Sequence, residues 1–523
     1  VSELKYTEVG KVKSIRGCIV IVIGLKSCIN GQLVHFGFGT QGIIVGFNED
    51  EAHVLIVKEN ESIKTGDEVR ASLEPFNVPV GNNFIGRIVT PLCEPFDGLG
   101  PIEPDEHYPI FPTAPAILER EPLCRPLQTG TKALDSMIPI GLGQRELILG
   151  NKMTGKTTIL TDTILNQKNT DVICIYCVTG KARSQLARVV QLFKENNAFD
   201  YSIIVSALAS SPPGQQYLSI YVACSLGEYF MHRGKDVFIG FDDFTKHAWT
   251  YREISLLLGR APGRDSYPGD IFYLHSKMIE RACLLDKEHG GGSMTFLPIV
   301  EILEGDLTAF VPTNLVSMTD GQIMLDSALF GEGQKPAVDL GLSVSRVGTK
   351  VQWPIIKDLS GPLRLEYLQY RETLRISKLR AGQQSDEMVE QLKSGAILTE
   401  LLKQDKDQPV SMEALVIILF AYHEKFLNRL SIEEVNVFQN HIYAYAQEKN
   451  PELLKLIRER KKKDDEIVKG LNEIIESYIL ELESQRGGEN PNPEQKDSEA
   501  ITSGVGADVL SQAESQKQKS KEE

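Results

Sequence analysis

The chain has 523 residues, 41% apolar and 24% charged, a balance that supports a large buried core and excludes a wholly disordered chain. Its 56 basic and 71 acidic side chains leave a net charge of −15, which excludes a protein built around general attraction to a nucleic-acid backbone. The longest uninterrupted apolar run, Ala414 to Tyr422, falls far short of the roughly 20 residues of a spanning helix, so no membrane crossing is expected.

The length predicts roughly three or four domains. Residues 1–75 read as short β-rich runs, Gly10 to Ile15, Cys18 to Ile23, Gly42 to Phe47 and Ala52 to Val57, separated by Gly, Asn, Asp or Lys. Runs at this spacing predict a small all-β barrel or sandwich. Prolines 91, 95, 101, 104, 109, 112 and 115 then discourage long helices before the pattern changes near residue 127. Strands are predicted at Glu146 to Gly150, Asp171 to Val178, Ser202 to Val205 and Asp236 to Phe241. Helices are predicted from Lys156, through about Asn196, and from Gly214 to Arg233. Near-continuous apolar strands alternating with helices predict a mainly parallel sheet covered on both faces, within a unit spanning 76–361. Residues 362–483 read as helices only, at about 364–383, 387–403, 411–428, 431–447 and 464–483. The basic run Arg458 to Lys463 reads as a solvated helix face. Residues 484–523 lack aromatics, are rich in Gln, Ser, Glu and Lys, and read as a disordered acidic tail.

The eight cysteines are scattered, and Cys174 and Cys177 lie in an apolar strand-like run with no second pair, so they read as interior packing rather than a zinc or redox site. The histidines His232, His247 and His275 are dispersed and predict no metal centre. The sequence starts at Val1 without a signal-like segment.

Gly150-Asn-Lys-Met-Thr-Gly155-Lys156-Thr157 has the spacing of a phosphate loop, preceded by an apolar strand and followed by the helical run from Thr158. Glycines let backbone N–H groups turn toward phosphate oxygens, and the helix N-terminus adds partial positive charge. Lys156 is expected to reach the β and γ phosphates, and the Thr157 hydroxyl to ligate Mg²⁺. A second metal anchor is expected at the end of an adjacent strand, and Asp242 is the better candidate of Asp242-Asp243. The competing reading is that Asp242 only caps the next helix.

Several further blocks carry a likeness. They are Val78-Pro-Val-Gly, Pro126-Leu-Gln-Thr-Gly, Gly259-Arg-Ala-Pro-Gly-Arg264-Asp-Ser-Tyr-Pro-Gly-Asp, Val311-Pro-Thr-Asn, and Pro336-Ala-Val-Asp-Leu-Gly-Leu-Ser-Val-Ser-Arg346. With the phosphate loop, they make the sequence resemble the alpha subunits of F-type ATP synthases over about residues 5 to 483. The resemblance implies an N-terminal β-barrel, a central RecA-like α/β phosphate-loop domain and a C-terminal all-α bundle. It implies an alternating ring with beta subunits around a gamma-type shaft, a delta-type stator contact, and no nucleic-acid partner. It implies a peripheral place at the cytoplasmic, matrix or stromal face of an energy-transducing membrane.

The same resemblance implies that ATP or ADP with Mg²⁺ sits on Gly150, Lys152, Thr154, Gly155, Lys156, Thr157 and Thr158, with Gln404 near the base and Thr157 and Asp242 serving the metal. Arg346 is implied to act in trans on a neighbouring beta site, where a fixed, always-charged fork suits a phosphoryl transition state. Beta-like sequences have a water-positioning Glu where alpha sequences usually have Gln, and the residue here is Lys181. A lysine with a pKa of about 10.4 is protonated at pH 7 and has no lone pair to accept a proton from water, so the site is expected to bind without hydrolysing.

The sequence departs from the pattern at Asn151-Lys152-Met153, where Asp-Arg-Gln is common, at Gln404-Asp405-Lys406, where Gln-x-Gln is usual, and at Lys335, usually Arg. Two other readings share the core: a homo-hexameric export ATPase, which needs its own catalytic Glu, and a Rho-like RNA-translocating ring, which needs basic and aromatic RNA contacts. Lys181 argues against the first, and the acidic balance against the second.

Overall fold

The computed structural model describes residues 8–379 and 386–486. Six antiparallel strands close into a barrel: β1 (Glu8–Arg16), β2 (Ile19–Ile23), β3 (Gln32–Phe36), β4 (Gln41–Phe47), β5 (Glu51–Lys58) and β6 (Glu68–Pro75). The order is β1-β2-β5-β4-β3-β6, and β6 pairs back onto β1, which decides barrel over sandwich. β3 and β6 were not among the β-rich runs expected from sequence. Period-two alternation sends Val20, Val22, Ile44, Val54 and Ile56 inward, while Ile19, Ile43, Leu55 and Val57 join the core of the nucleotide-binding unit. The barrel docks closely: a Cβ on Gly214, in the first turn of the helix Pro213–Met231, would lie 2.1 Å from the Ile56 carbonyl oxygen.

The central sheet runs, by strand, Val344–Ser345, Gly321–Leu325, Glu146–Gly150, Ser293–Glu301, Asp236–Asp242, Ile173–Lys181, Ser202–Leu208 and Ile88–Val89. All neighbours along this path are parallel except the antiparallel edge strand Val344–Ser345. Strand alternation sorts the apolar side chains between two cores. Ile148, Cys174, Tyr176 and Phe238 face the helices Lys156–Leu165 and Arg183–Glu195, whereas Leu147, Ile175, Cys177 and Ile239 face the helix Pro213–Met231. Cys174 and Cys177 are therefore buried on opposite faces, each amid aliphatic side chains, where they cannot share a ligand. Each such fully buried aliphatic contributes about 1.5–3 kcal/mol relative to exposure.

One strand went unread in the sequence and changes the geometry. Ser293–Glu301 lies between Glu146–Gly150 and Asp236–Asp242, so the strand bearing Asp242 is not the neighbour of the loop strand, contrary to expectation. Pro298, which usually argues against a central strand, sits where one ladder hands over to the other. Pairing with Asp236–Asp242 ends at Phe241 opposite Pro298, and pairing with Glu146–Gly150 begins at Ile148 opposite Ile299.

The C-terminal helices are Leu363–Leu379, Asp386–Leu402, Met412–His423, Ile432–Lys449, Pro451–Arg460 and Asp465–Arg486. Met412–His423 is apolar nearly all round and is the bundle's buried centre. Ser411, Ser431 and Asn450 cap their helices, and Ser431 with Glu434 forms a reciprocal capping box. The helix expected over 411–428 stops at His423 and resumes as a 3₁₀ turn, Phe426–Arg429, because Lys425 adopts φ 60°. The run Arg458 to Lys463 is exposed as expected, but it ends one helix and enters a loop, with Arg460 bound to Glu466 at 2.8 Å. Asp465–Arg486 carries the helix three residues past 483, and the rest of the expected tail, 487–523, lies outside the described residues. No helix among the described residues is long and apolar enough to cross a membrane.

Candidate nucleotide site

The phosphate loop leaves the sheet at Gly150 and enters the helix Lys156–Leu165 through Gly155, whose φ of 96° a side chain would disfavour. A Cβ on Gly155 would meet nothing within 4 Å, so the loop opens onto free space. The helix has no side-chain cap, which leaves first-turn N–H groups for a ligand. Thr154 Oγ1 donates to the Asn151 carbonyl at 2.8 Å and holds the loop's curvature. Asn151 itself is held from both sides, donating to Ser327 Oγ at 2.8 Å and accepting from the Gly305 N–H at 3.0 Å.

Lys156 is buried and donates to the Gly150 carbonyl at 2.9 Å. Burial lowers its pKa, opposed by Glu301 and by Asp243 and Asp242. A phosphate would supply the negative charge this ammonium is short of. The loop forms one wall of a cavity of about 1010 Å³, which Thr157, Thr158, Lys181, Phe330, Pro336 and Gln404 also line. Lys152 is exposed and paired with Glu301 at 3.4 Å.

Thr157 Oγ1 donates to Asp242 Oδ2 at 2.8 Å, although the two are 85 residues apart. Tyr176 donates to the same oxygen at 2.9 Å. Helix capping falls to the other carboxylate: Asp243 Oδ1 accepts from the Lys246 N–H at 2.7 Å. The cap thus leaves Asp242 aimed at Thr157. Burial, then repulsion from Asp242, raises the Asp243 pKa to about 6, against Lys181.

Lys181 ends the strand Ile173–Lys181, and its Nζ lies 2.5 Å from Asp242 Oδ1 and 3.9 Å from Asp243 Oδ2. Burial pulls its pKa down, but Asp242 and Asp243 outweigh it, and the net shift is upward. Position 181 therefore presents a firmly protonated ammonium.

These residues fit a polyphosphate: an uncapped helix start, an open glycine turn and a partly desolvated ammonium converge on one cavity. Thr157 and Asp242 are the residues that would hold a Mg²⁺, which would supply charge neutralisation to the phosphates, although Lys181 competes for the same carboxylate. Gln404 lines the far end, but its amide is already engaged. Its Oε1 accepts from the Lys132 N–H at 2.9 Å, and its Nε2 donates to the Gly130 and Gln408 carbonyls at 2.7 and 2.8 Å. It shapes the wall there through the 130–132 backbone.

Arg346 is apart from this cavity. It follows the edge strand Val344–Ser345, which pairs with Gly321 and Gln322 at the start of Gly321–Leu325, whereas the phosphate loop is level with Leu325 at that strand's other end. Four residue steps of about 3.3 Å separate those levels. Arg346 is exposed, and among the described residues its side chain has no ion pair or hydrogen bond; its backbone N–H donates to the Asp320 carbonyl at 2.7 Å. Arg264 is also exposed and donates to the Thr308 carbonyl at 3.0 Å.

Two features were missed in the sequence. Glu301 lines the cavity at the end of the unread strand, and its signal was the apolar run Ser293 to Val300. His247 and His275, read as dispersed, lie with tilted rings whose centroids are 5.6 Å apart beside Phe244, because the successive helices Phe244–Leu257 and Ile271–Ile279 meet there. Burial lowers both pKa values, that of His247 to about 4, so both rings are neutral at pH 7. Among the described residues no group of His, Cys, Asp and Glu forms a metal-binding cluster.

Three family models cover most of the sequence. Residues 6–72 match the beta-barrel domain of the ATP synthase alpha/beta family, and 130–345 match its nucleotide-binding domain. Residues 352–478 match the C-terminal domain of the ATP synthase alpha/beta chain. A curated ATP synthase subunit alpha of Clostridium botulinum (strain Eklund 17B / Type B) is 46% identical over 465 residues, 89% of this chain and 92% of the relative. The ATP synthase subunit alpha of Aquifex aeolicus (strain VF5) is 42% identical over 476 residues, 91% of this chain and 94% of the relative. With barrel, phosphate-loop sheet and helical bundle in this order and at this identity, the protein belongs to the ATP synthase alpha/beta family.

Proposed function

We propose that this protein is a regulatory, nucleotide-binding alpha subunit of an F-type ATP synthase, alternating with beta subunits in a ring that couples a transmembrane ion gradient to ATP synthesis or hydrolysis. Its own cradle binds ATP or ADP with Mg²⁺ and does not hydrolyse it. Lys156 grips the β and γ phosphates, the amides from Lys152 to Thr158 line the phosphate groups, and Thr157 and Asp242 serve the metal. Arg346 serves the neighbouring beta site in trans. Residues 1–75 form the barrel, 76–361 the nucleotide-binding unit and 362–483 the helical unit. A gamma-type shaft fills the ring, a delta-type subunit joins it to a stator, and the assembly is peripheral to an energy-transducing membrane.

One observation carries the non-hydrolytic reading: the side chain at the water-aligning position is an ammonium held 2.5 Å from Asp242 Oδ1. It has no acceptor for a water proton. Of the carboxylates lining the cavity, Asp243 is engaged in the helix cap and Glu301 lies opposite Lys152. The trans role is supported by the exposure of Arg346, whose side chain makes no hydrogen bond or close ion pair among the described residues.

The test is ATP binding and turnover by the purified full-length protein, alone and after co-expression with beta-type and gamma-type subunits. The expected result is binding lost in Lys156→Ala, no turnover alone, and co-purification with beta at equal stoichiometry. Turnover by the isolated protein, abolished by Lys156→Ala, overturns the reading, and its loss in Glu301→Gln would name the hidden base.

A further inference from the structure

Three groups converge on one carboxylate. Asp242 is buried; its Oδ2 accepts from Thr157 and Tyr176, and Lys181 Nζ lies 2.5 Å from its Oδ1. Oδ2 is thus taken by two hydrogen bonds, while Oδ1 faces the ammonium as an ion pair without a hydrogen bond among the described residues. Lys181 sits within the cavity wall, with 18% of its side chain exposed, so the same ammonium that neutralises Asp242 borders the space for the terminal phosphate. Lys152 and Glu301, paired at 3.4 Å, form a second neutralised couple on the same wall. Lysines 152, 156, 181 and 246 thus line the cavity together with carboxylates 243 and 301, and Asp242 is held by Lys181.

A divalent cation gains at such a site from a carboxylate free to hold it or its waters. Here a tethered cation already holds that position. A second cation brought to Asp242 meets like-charge repulsion, little screened in a buried setting, and must displace Lys181 or share its oxygen. The triphosphate, by contrast, gains a charge-assisted donor beyond Lys156.

We infer that Lys181 acts as a built-in counter-ion, replacing part of the charge that Mg²⁺ supplies, so that this protein's cradle takes nucleoside di- and triphosphates with little dependence on Mg²⁺. The inference rests on the nucleotide-binding reading above and deepens it. Lys181 is a positioning and binding residue here, and no chemical step is assigned to it.

The experiment is calorimetric titration of the full-length protein with ATP in excess Mg²⁺ and in excess EDTA, for wild type, Lys181→Gln and Lys181→Arg. Hydrogen bonds to charged groups contribute about 1.5–3 kcal/mol, roughly tenfold or more in affinity. Wild type is expected to bind within about threefold in the two buffers, well inside one such bond. Lys181→Gln, which frees Asp242, is expected to weaken at least about tenfold in EDTA relative to Mg²⁺, and Lys181→Arg to keep the wild-type indifference. A purely stabilising ion pair would change melting without changing the ratio of the two affinities. Wild-type binding that falls more than about tenfold in EDTA overturns the inference and leaves the nucleotide reading standing, whether or not the variants fold. An equal Mg²⁺ ratio in wild type and Lys181→Gln does the same. No ATP binding by wild type in either buffer overturns both.

Discussion

The buried guanidinium of Arg281 grips Glu228 through two parallel hydrogen bonds, Nε to Oε1 at 2.6 Å and Nη2 to Oε2 at 2.8 Å. Nη2 also donates to Ser225 Oγ at 3.0 Å and Nη1 to the Ile110 carbonyl at 3.2 Å, so the helix Pro213–Met231 is tied to the segments before and after it. Removing one partner would leave the other charge buried and unpaired. Glu228→Ala should cost about 3–5 kcal/mol, read by denaturant unfolding, and the double variant Glu228→Leu with Arg281→Met should recover most of that loss. A single variant as stable as wild type would show that the pair is not held as described.

Lys156 donates only to backbone carbonyls in the absence of ligand, and burial already disfavours its charge. Lys156→Ala should therefore weaken ATP binding by about a hundredfold or more, the loss of charged hydrogen bonds to two phosphate oxygens. Thermal unfolding of the ligand-free protein should change little. A large drop in melting temperature with retained ATP binding would contradict this.

Arg346 follows the edge strand paired with the start of Gly321–Leu325, the end of that strand opposite the phosphate loop, and is exposed. Arg346→Ala should leave ATP affinity for this protein unchanged and lower multisite turnover of the assembled ring by about a thousandfold or more, the range of an arginine supplied in trans. Arg346→Lys should rescue little, because an ammonium lacks the planar fork. Normal multisite rates in the alanine variant would remove the assigned role.

Asp162 sits in the phosphate-loop helix, where burial raises its pKa to about 7, although the Asp407 N–H donates to it at 3.1 Å. The folded state holds this proton more tightly than the unfolded state, whose Asp titrates near 3.9. Stability from this group is fully present below about pH 3.9 and is lost as pH rises through about 7. Asp162→Asn keeps an acceptor for Asp407 and cannot ionise. Between pH 5 and 8 its melting temperature should fall less than that of wild type, and parallel profiles would refute the assignment.

The phosphate loop was readable because its parts are local: strand, glycine turn and helix start are contiguous from Glu146 to Leu165. The expectation of Asp242 over Asp243 rested on its strand-end position; in the structure Asp243 caps the following helix, and Asp242 accepts from Thr157. The strand Ser293–Glu301 went unread despite its apolar run, because Pro298 and the preceding Gly290-Gly291-Gly292 mimic a loop. Glu301 was lost with it. The resemblance implied a place near the base for Gln404 but not that its amide is committed to Gly130, Lys132 and Gln408.

By itself, the sequence determined the residue types and their patterns: short β-rich runs for a barrel, near-continuous apolar runs for a doubly covered sheet, helical spacing for the last third, and a glycine-lysine-threonine turn where phosphate chemistry requires it. Those follow from steric and hydrophobic preferences acting over a few neighbouring residues. Only the tertiary structure decided that β6 closes on β1, that a strand separates the loop from Asp242, and that Lys181 settles on Asp242 rather than in solvent. These depend on which distant segments share the low-dielectric interior, where a buried carboxylate must find a partner cation and residue order does not say which one.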